Sequence, residues 1–168
     1  MIWPQAKAGD TVQIFCLRGN DSPSLLIMQD LKNEAPSPGC GMPGGGIRED
    51  EKLICGAHRE LREETGLRLL EQAKDGTWYP FVGIEPSIVL IEKRLDKTKL
   101  FVLRCSYVPE MGEICVNDPE GKVIQALWIP LHDFIGVFNI EGRLDAWGRR
   151  YYKSHLRRIE QILRDIPF

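Results

Sequence analysis

The sequence has no long apolar run. Nothing in it approaches the roughly 20 residues needed to cross a bilayer, and residues 1–7 lack the apolar stretch of a secretory signal. It has no excess of one charge, since Lys+Arg 22 against Asp+Glu 24 leaves a net charge of -2. A nucleic-acid coat or a membrane-surface protein carries a basic excess, so neither partner is expected. It has no paired cysteines. Cys16, Cys40, Cys55, Cys105 and Cys115 are odd in number and widely spaced, and no two show CxxC or zinc-finger spacing. Reduced thiols in a reducing compartment follow, and with them a cytoplasmic location. No repeat or linker divides the chain. What remains is 168 residues, 43% of them hydrophobic, which suits one domain over residues 1–168 with a substantial core.

Residues 11–18 are β-branched and aromatic and read as a strand. After the turn cluster at 19–23, residues 24–29 hold Leu25, Leu26, Ile27 and Met28, too short a run for a helix. A hairpin is expected. Residues 32–41 contain two prolines and two glycines and read as loop, a wall or lid for a site. Three strands are expected over 78–84, 87–93 and 99–108, with a hairpin tip at Asp96 and Lys97. An acidic loop spans 109–122, and a strand spans 123–129. A short helix is expected over 131–135. Helical spacing through Leu144, Trp147, Tyr151, His155, Ile159, Ile162 and Ile166 predicts a last helix over 144–166. Its arginines and lysines read as surface, with a homodimer contact or a phosphate-attracting wall as the other roles open to them.

The chain is organised around residues 45–67. Gly44, Gly45 and Gly46 permit close approach of another group to the backbone. A helix is expected from about Asp50 or Glu51, with Asp50 as N-cap. Its apolar stripe is Leu53, Ile54, Ala57, Leu61 and Thr65, and Gly66 ends it. Glu60, Glu63 and Glu64 lie three and four apart, on one face. Like-charge neighbours cost roughly 0.2–0.5 kcal/mol per pair. The C-terminal half of a helix also disfavours negative charge. A divalent cation reverses both penalties. Oxygen-only ligands select a hard ion, Mg2+ first and Mn2+ second. Mg2+ held by few carboxylates keeps positions for water and phosphate, so a phosphate substrate is expected. Arg59 and Arg62 are placed to orient the carboxylates. Glutamate and arginine also crowd ordinary solvated helices. It is their fixed distance from the glycines that argues for a site.

This stretch resembles the Nudix box, G-x5-E-x7-R-E-U-x-E-E-x-G-U, where U is aliphatic. Gly45, Glu51, Arg59, Glu60, Leu61, Glu63, Glu64, Gly66 and Leu67 fill every specified position. Pro43-Gly44 and Trp128-Ile129-Pro130-Leu131 are similar to common context around it. The resemblance implies an α+β fold, an α/β/α sandwich. It has a mixed sheet, a catalytic helix after the glycine-rich loop, and a C-terminal helix. It implies hydrolysis of a pyrophosphate in a nucleoside diphosphate linked to another moiety, such as a nucleotide sugar, ADP-ribose or a nucleoside triphosphate. A divalent-metal-activated water would attack phosphorus. Glu60, Glu63, Glu64 and the Gly45 carbonyl would bind the metal, and Glu60 or a loop acid would be general base. Arg59 would hold the glutamates, and Glu51 would brace the turn. Gly44, Gly46, Glu51 and Glu120 are further residues expected near substrate. One departure stands out. Many members carry an acid shortly before the Trp-x-Pro-Leu strand, whereas this chain has Lys122 and Gln125 there, with Asp118, Glu120 and Glu113 as substitutes. That keeps a competing reading open, a nucleotide-sensing module that binds without cleaving. Trp78, Tyr79 and Phe81 are candidates for base stacking, with core packing favoured. His58 reads as structural or solvated.

Overall fold

The structure is a computed structural model that describes residues 3–31, 38–138 and 148–165, with the backbone alone over 135–138. β1 (Thr11–Arg18) and β2 (Ser24–Asp30) form the expected hairpin, pairing antiparallel at Leu17↔Leu25. The chain then passes through β3 (Gly39–Gly41) and β4 (Gly44–Gly46) into α1 (Leu53–Thr65). A two-stranded hairpin follows, β5 (Leu70–Gln72) with β6 (Trp78–Pro80). Next come β7 (Ser87–Lys93) and β8 (Lys99–Ser106), joined by a tight turn in which Lys97 takes a left-handed φ of 68°. After a single 3-10 turn at Pro109–Met111 come β9 (Val123–Pro130) and α2 (Leu131–Phe138). The last elements are β10 (Arg150–Tyr151) and α3 (Lys153–Asp165).

The sheet runs β10-β3-β2-β1-β8-β7, with β4 pairing β1 and β9 pairing β2. β1 and β8 are parallel and most other pairs antiparallel, so the sheet is mixed. β1 shows how the layers form. Val12, Ile14 and Cys16 pack with Leu53, Ile54, Ala57 and Leu61 of α1. Phe15 and Leu17 pack on the other face with Phe134 of α2 and Leu156, Ile159 and Ile162 of α3. The two-residue period of a strand thus feeds two cores, and the sheet lies between helices as an α/β/α sandwich. The five cysteines are thiols, with Cys16 and Cys105 side by side on β1 and β8.

Four expectations are corrected. Asp50 is no N-cap. It sits at φ 58°, and the helix starts at Leu53 behind an extended Lys52 with no side-chain cap. The reason is that Glu51 is spent on the turn, where its carboxylate accepts the Arg48 N–H at 3.1 Å. Residues 39–41 are a strand and not loop, because small glycines there let the C-terminal segment pack on top (residues 32–37 lie outside the described residues). The strand expected over 78–84 stops at Pro80, where Phe81 turns inward and donates its N–H to the Leu69 carbonyl at 3.2 Å. The last helix begins at Lys153, since Tyr151 belongs to β10. Leu144, Trp147 and Ile166 lie outside the described residues.

Candidate active site

α1 is amphipathic, and its buried stripe fixes how its polar face is presented. With Leu53, Ile54, Ala57, Leu61 and Thr65 against the sheet, the 3.6-residue period brings Glu60, Glu63 and Glu64 to the side of β4. Gly66 closes the helix at φ 82°, donating its N–H to the Arg62 carbonyl at 2.9 Å. The acidic loop is pinned to this end by the Cys115 N–H, which donates to the Thr65 carbonyl at 2.8 Å.

Arg59 is the clasp. Its Nε donates to Glu51 Oε2 at 2.8 Å, and its Nη2 to Glu51 Oε1 and the Gly46 carbonyl, each at 2.8 Å. Its Nη1 donates to Glu60 and stands 3.8 Å from Glu63. One guanidinium therefore ties the glycine turn, the turn into the helix and the helix face together, as its rigid fork permits. The Arg59 hydrogen bonds hold the Glu51 carboxyl below the usual carboxylate range, and Glu51 and Glu60 hold the guanidinium up.

The three glutamates are placed differently. Glu64 is buried at 3% exposure and accepts the Gly44 N–H at 3.1 Å. Glu60 lies so close to Gly45 that a methyl group there would run into its carboxylate. Glu63 is the more open, near Arg59 and Arg48. Carboxylate and backbone oxygens are the donors a hard divalent ion takes. Among the described residues, no three acidic, histidine or cysteine side chains are grouped closely enough to hold a metal ion, and Arg59 stands among the carboxylates.

Next to Gly44 and Gly45 opens a cavity of about 1010 Å³. Its walls include Met28, Asp30, Met42, Tyr152 and His155, and its rim carries Arg94, Arg150, Lys153 and Arg157. The basic residues of α3 that read as surface therefore line a cleft in part, and Arg157 and Arg158 also pair with Glu92 at 3.1 Å. α3 crosses the sheet with its N-terminal half over the glycine-rich segment, which spacing alone does not reveal. Gln13, Asp30, Tyr152 and His155 also line the cleft, and the signal the sequence carries for them is a glutamine among the buried apolar residues of β1.

Other sequence candidates fall away from the glycine turn. Glu120 is exposed and pairs with Lys122 at 3.3 Å. Asp118 accepts the N–H groups of Lys122 and Val123 at 2.7 and 2.9 Å, shaping the loop. Gln125 donates to Gln29. Trp78 and Tyr79 are exposed on β6, while Phe81 is buried. His58 is structural. Its Nδ1 accepts the N–H groups of Leu69 and Leu70 at 3.1 and 3.2 Å, and desolvation together with Arg62 and Arg68 lowers its pKa to about 4. No described helix is long and apolar enough to cross a membrane.

A family model for the NUDIX domain matches residues 7–153. An RNA pyrophosphohydrolase of Bartonella tribocorum is 35% identical over 104 residues, covering 57% of this chain and 59% of that protein. The match thus spans about three fifths of that relative's length. The phosphatase NudJ of Escherichia coli K12 is 26% identical over 160 residues, covering 94% of each chain. A MutT structure, from work on Aliivibrio salmonicida and Vibrio cholerae, superposes with a TM-score of 0.62 at 15% identity, covering 94% of this chain and 98% of that one. The NUDIX domain of Shewanella oneidensis NrtR, complexed with ADP ribose, does so with a TM-score of 0.58 at 20% identity, covering 97% and 90%. With the family model matched across most of the chain and the same fold in these structures, the protein belongs to the Nudix family.

Proposed function

We propose that the protein, acting as one domain over residues 1–168, hydrolyses a pyrophosphate bond in a nucleoside diphosphate linked to another moiety. The observation that carries this is the clasp at Arg59. It brings Glu60 and Glu63 of α1 beside the Gly44–Gly46 turn, at the end of a cleft with a basic rim. The relatives' names, an RNA pyrophosphohydrolase and a phosphatase, and the neighbour complexed with ADP ribose support a nucleotide substrate.

In this reading Glu60, Glu63, Glu64 and the Gly45 carbonyl would hold Mg2+, or Mn2+ in its place. When bound, such an ion supplies positive charge for phosphate oxygens and makes a water more acidic. The remaining work falls to the chain. Arg59 fixes the spacing of turn and helix through Glu51 and Gly46. Gly44 holds Glu64 through its N–H. Arg94, Arg150 and Lys153 attract an anionic substrate into the cleft. Glu60, or an acid of the 109–122 loop, would take the proton of the attacking water.

The test is a panel of nucleotide sugars, ADP-ribose, nucleoside triphosphates and 5′-triphosphorylated RNA, incubated with Mg2+ or Mn2+. Release of nucleotide or phosphate is expected, with Glu63→Gln lowering turnover by orders of magnitude while the fold survives, since it removes charge and no core volume. No turnover on any substrate would refute hydrolysis. The second reading, a module that binds without cleaving, draws on the missing acid before the Trp128 strand, since its substitute Glu120 is exposed and paired with Lys122 at 3.3 Å. Calorimetric binding without turnover would support it.

A further inference from the structure

The C-terminal segment grips the strand that leads into the glycine turn. β10 runs parallel to β3 with Arg150↔Gly39 and Tyr151↔Cys40, and the Tyr152 N–H donates to the Cys40 carbonyl at 2.9 Å. Two glycines make room for this grip. A methyl group at Gly39 would strike the Tyr152 ring, and one at Gly41 would strike His155 Nδ1.

His155 contacts the backbone two residues before Gly44. Its Nδ1 accepts the Met42 N–H at 3.0 Å. A backbone N–H only donates, so this nitrogen carries no proton. The ring proton therefore sits on the other nitrogen, which stands 3.0 Å from the Gln13 side-chain amide. Gln13 is 5% exposed, and Arg158 donates to its Oε1 at 3.3 Å. Arg158 is anchored in turn on Glu92 of β7 at 3.1 Å. Beyond Met42, Pro43 has no N–H. Its carbonyl accepts the Ile14 N–H at 2.8 Å, and the next donor is the Gly44 N–H on Glu64.

We propose that His155 is a positioning residue for the Gly44–Gly46 segment, acting beside the pairing of β4 with β1. By holding the Met42 N–H it sets where Gly44 meets Glu64 and where the Gly45 backbone meets Glu60. His155 also lines the cleft, so the ring joins the wall of the cleft to the turn. This inference rests on the proposed reading of that turn as the metal- and phosphate-binding segment.

The test compares the wild-type chain with His155→Leu, His155→Asn and Gly41→Ala. The asparagine oxygen takes the place of Nδ1, the leucine offers volume without an acceptor, and the Gly41 methyl runs into the ring at Nδ1 while leaving the sequence of α3 unchanged. Mn2+ affinity is read by electron paramagnetic resonance without substrate. kcat and KM are read on the best substrate of the panel, and melting without metal reports the fold. Loss of a residue that orients metal ligands lowers affinity or activity by about 10–100-fold. His155→Leu and Gly41→Ala are expected to lose about 10-fold in Mn2+ affinity and in kcat, with KM changed by less than about 3-fold. His155→Asn is expected to restore both. The inference is overturned if either of the first two, folded, keeps wild-type Mn2+ affinity and kcat, or if KM alone rises. It is also overturned if asparagine and leucine lose equally. If His155→Leu does not fold, Gly41→Ala decides the matter. A wild-type chain that binds no Mn2+ and turns nothing over sinks the underlying function, and this inference with it.

Discussion

His58 gives a prediction whose size follows from its surroundings. The ring is half-buried and tilted against Trp78 at 5.5 Å, and its Nδ1 receives two backbone N–H groups from the chain leaving α1. Desolvation, then Arg62 and Arg68, bring its pKa from 6.5 to about 4. The folded state therefore binds this proton less readily than the unfolded chain. Its contribution to stability is complete above the unfolded pKa, falls as pH drops from 6.5 towards 4, and is exhausted below. The full drop corresponds to a ceiling of about 3 kcal/mol, and solvent screening of a half-exposed ring reduces that to about 1–2 kcal/mol. His58→Asn keeps an acceptor near Nδ1 without titrating. Between pH 7.5 and 4.5 the wild type should lose about 1 kcal/mol more than the variant, or about 2–4 °C in melting temperature. Taking the difference cancels the other titrating groups. Melting curves of the two chains that fall in parallel with pH would refute the reasoning.

Two glycines separate function from stability. Gly45→Ala pushes a methyl group into the Glu60 carboxylate, the movable end of a side chain, at a residue with no left-handed φ. Melting should change by less than about 1 kcal/mol while kcat falls about 10-fold or more, both measured on one preparation. Gly66→Ala does the reverse. It sits at φ 82° and meets the backbone of Cys115, so urea denaturation should show a loss of about 2–4 kcal/mol.

The local parts of the molecule were legible because neighbouring residues decide them. The β1–β2 hairpin follows from two short apolar runs about a turn cluster, and α1 from its stripe and its closing glycine. The Nudix box fixes which side chains share a helix face and how far they stand from the glycines. Where the reading failed, a distant partner had overruled local preference. Asp50 had the right chemistry for a cap, but Glu51 was drawn into the turn by Arg59, eight residues on. The glycines at 39 and 41 looked like breakers, and they are strand residues kept small by Tyr152 and His155, more than a hundred positions away. Arg150, Lys153 and Arg157 looked like solvated charge because helical spacing does not say what lies under the helix.

By itself, then, the sequence determined the family and the helix with its three carboxylates. All of this is encoded within residues 45–67, at spacings a helix converts directly into neighbours. Only the tertiary structure decided that Arg59 locks helix to turn, that His58 must stay neutral, and that the C-terminal segment closes a cleft beside Gly45. Those depend on which strands pair and which layers stack, and on burial that changes what a charge or a hydrogen bond costs.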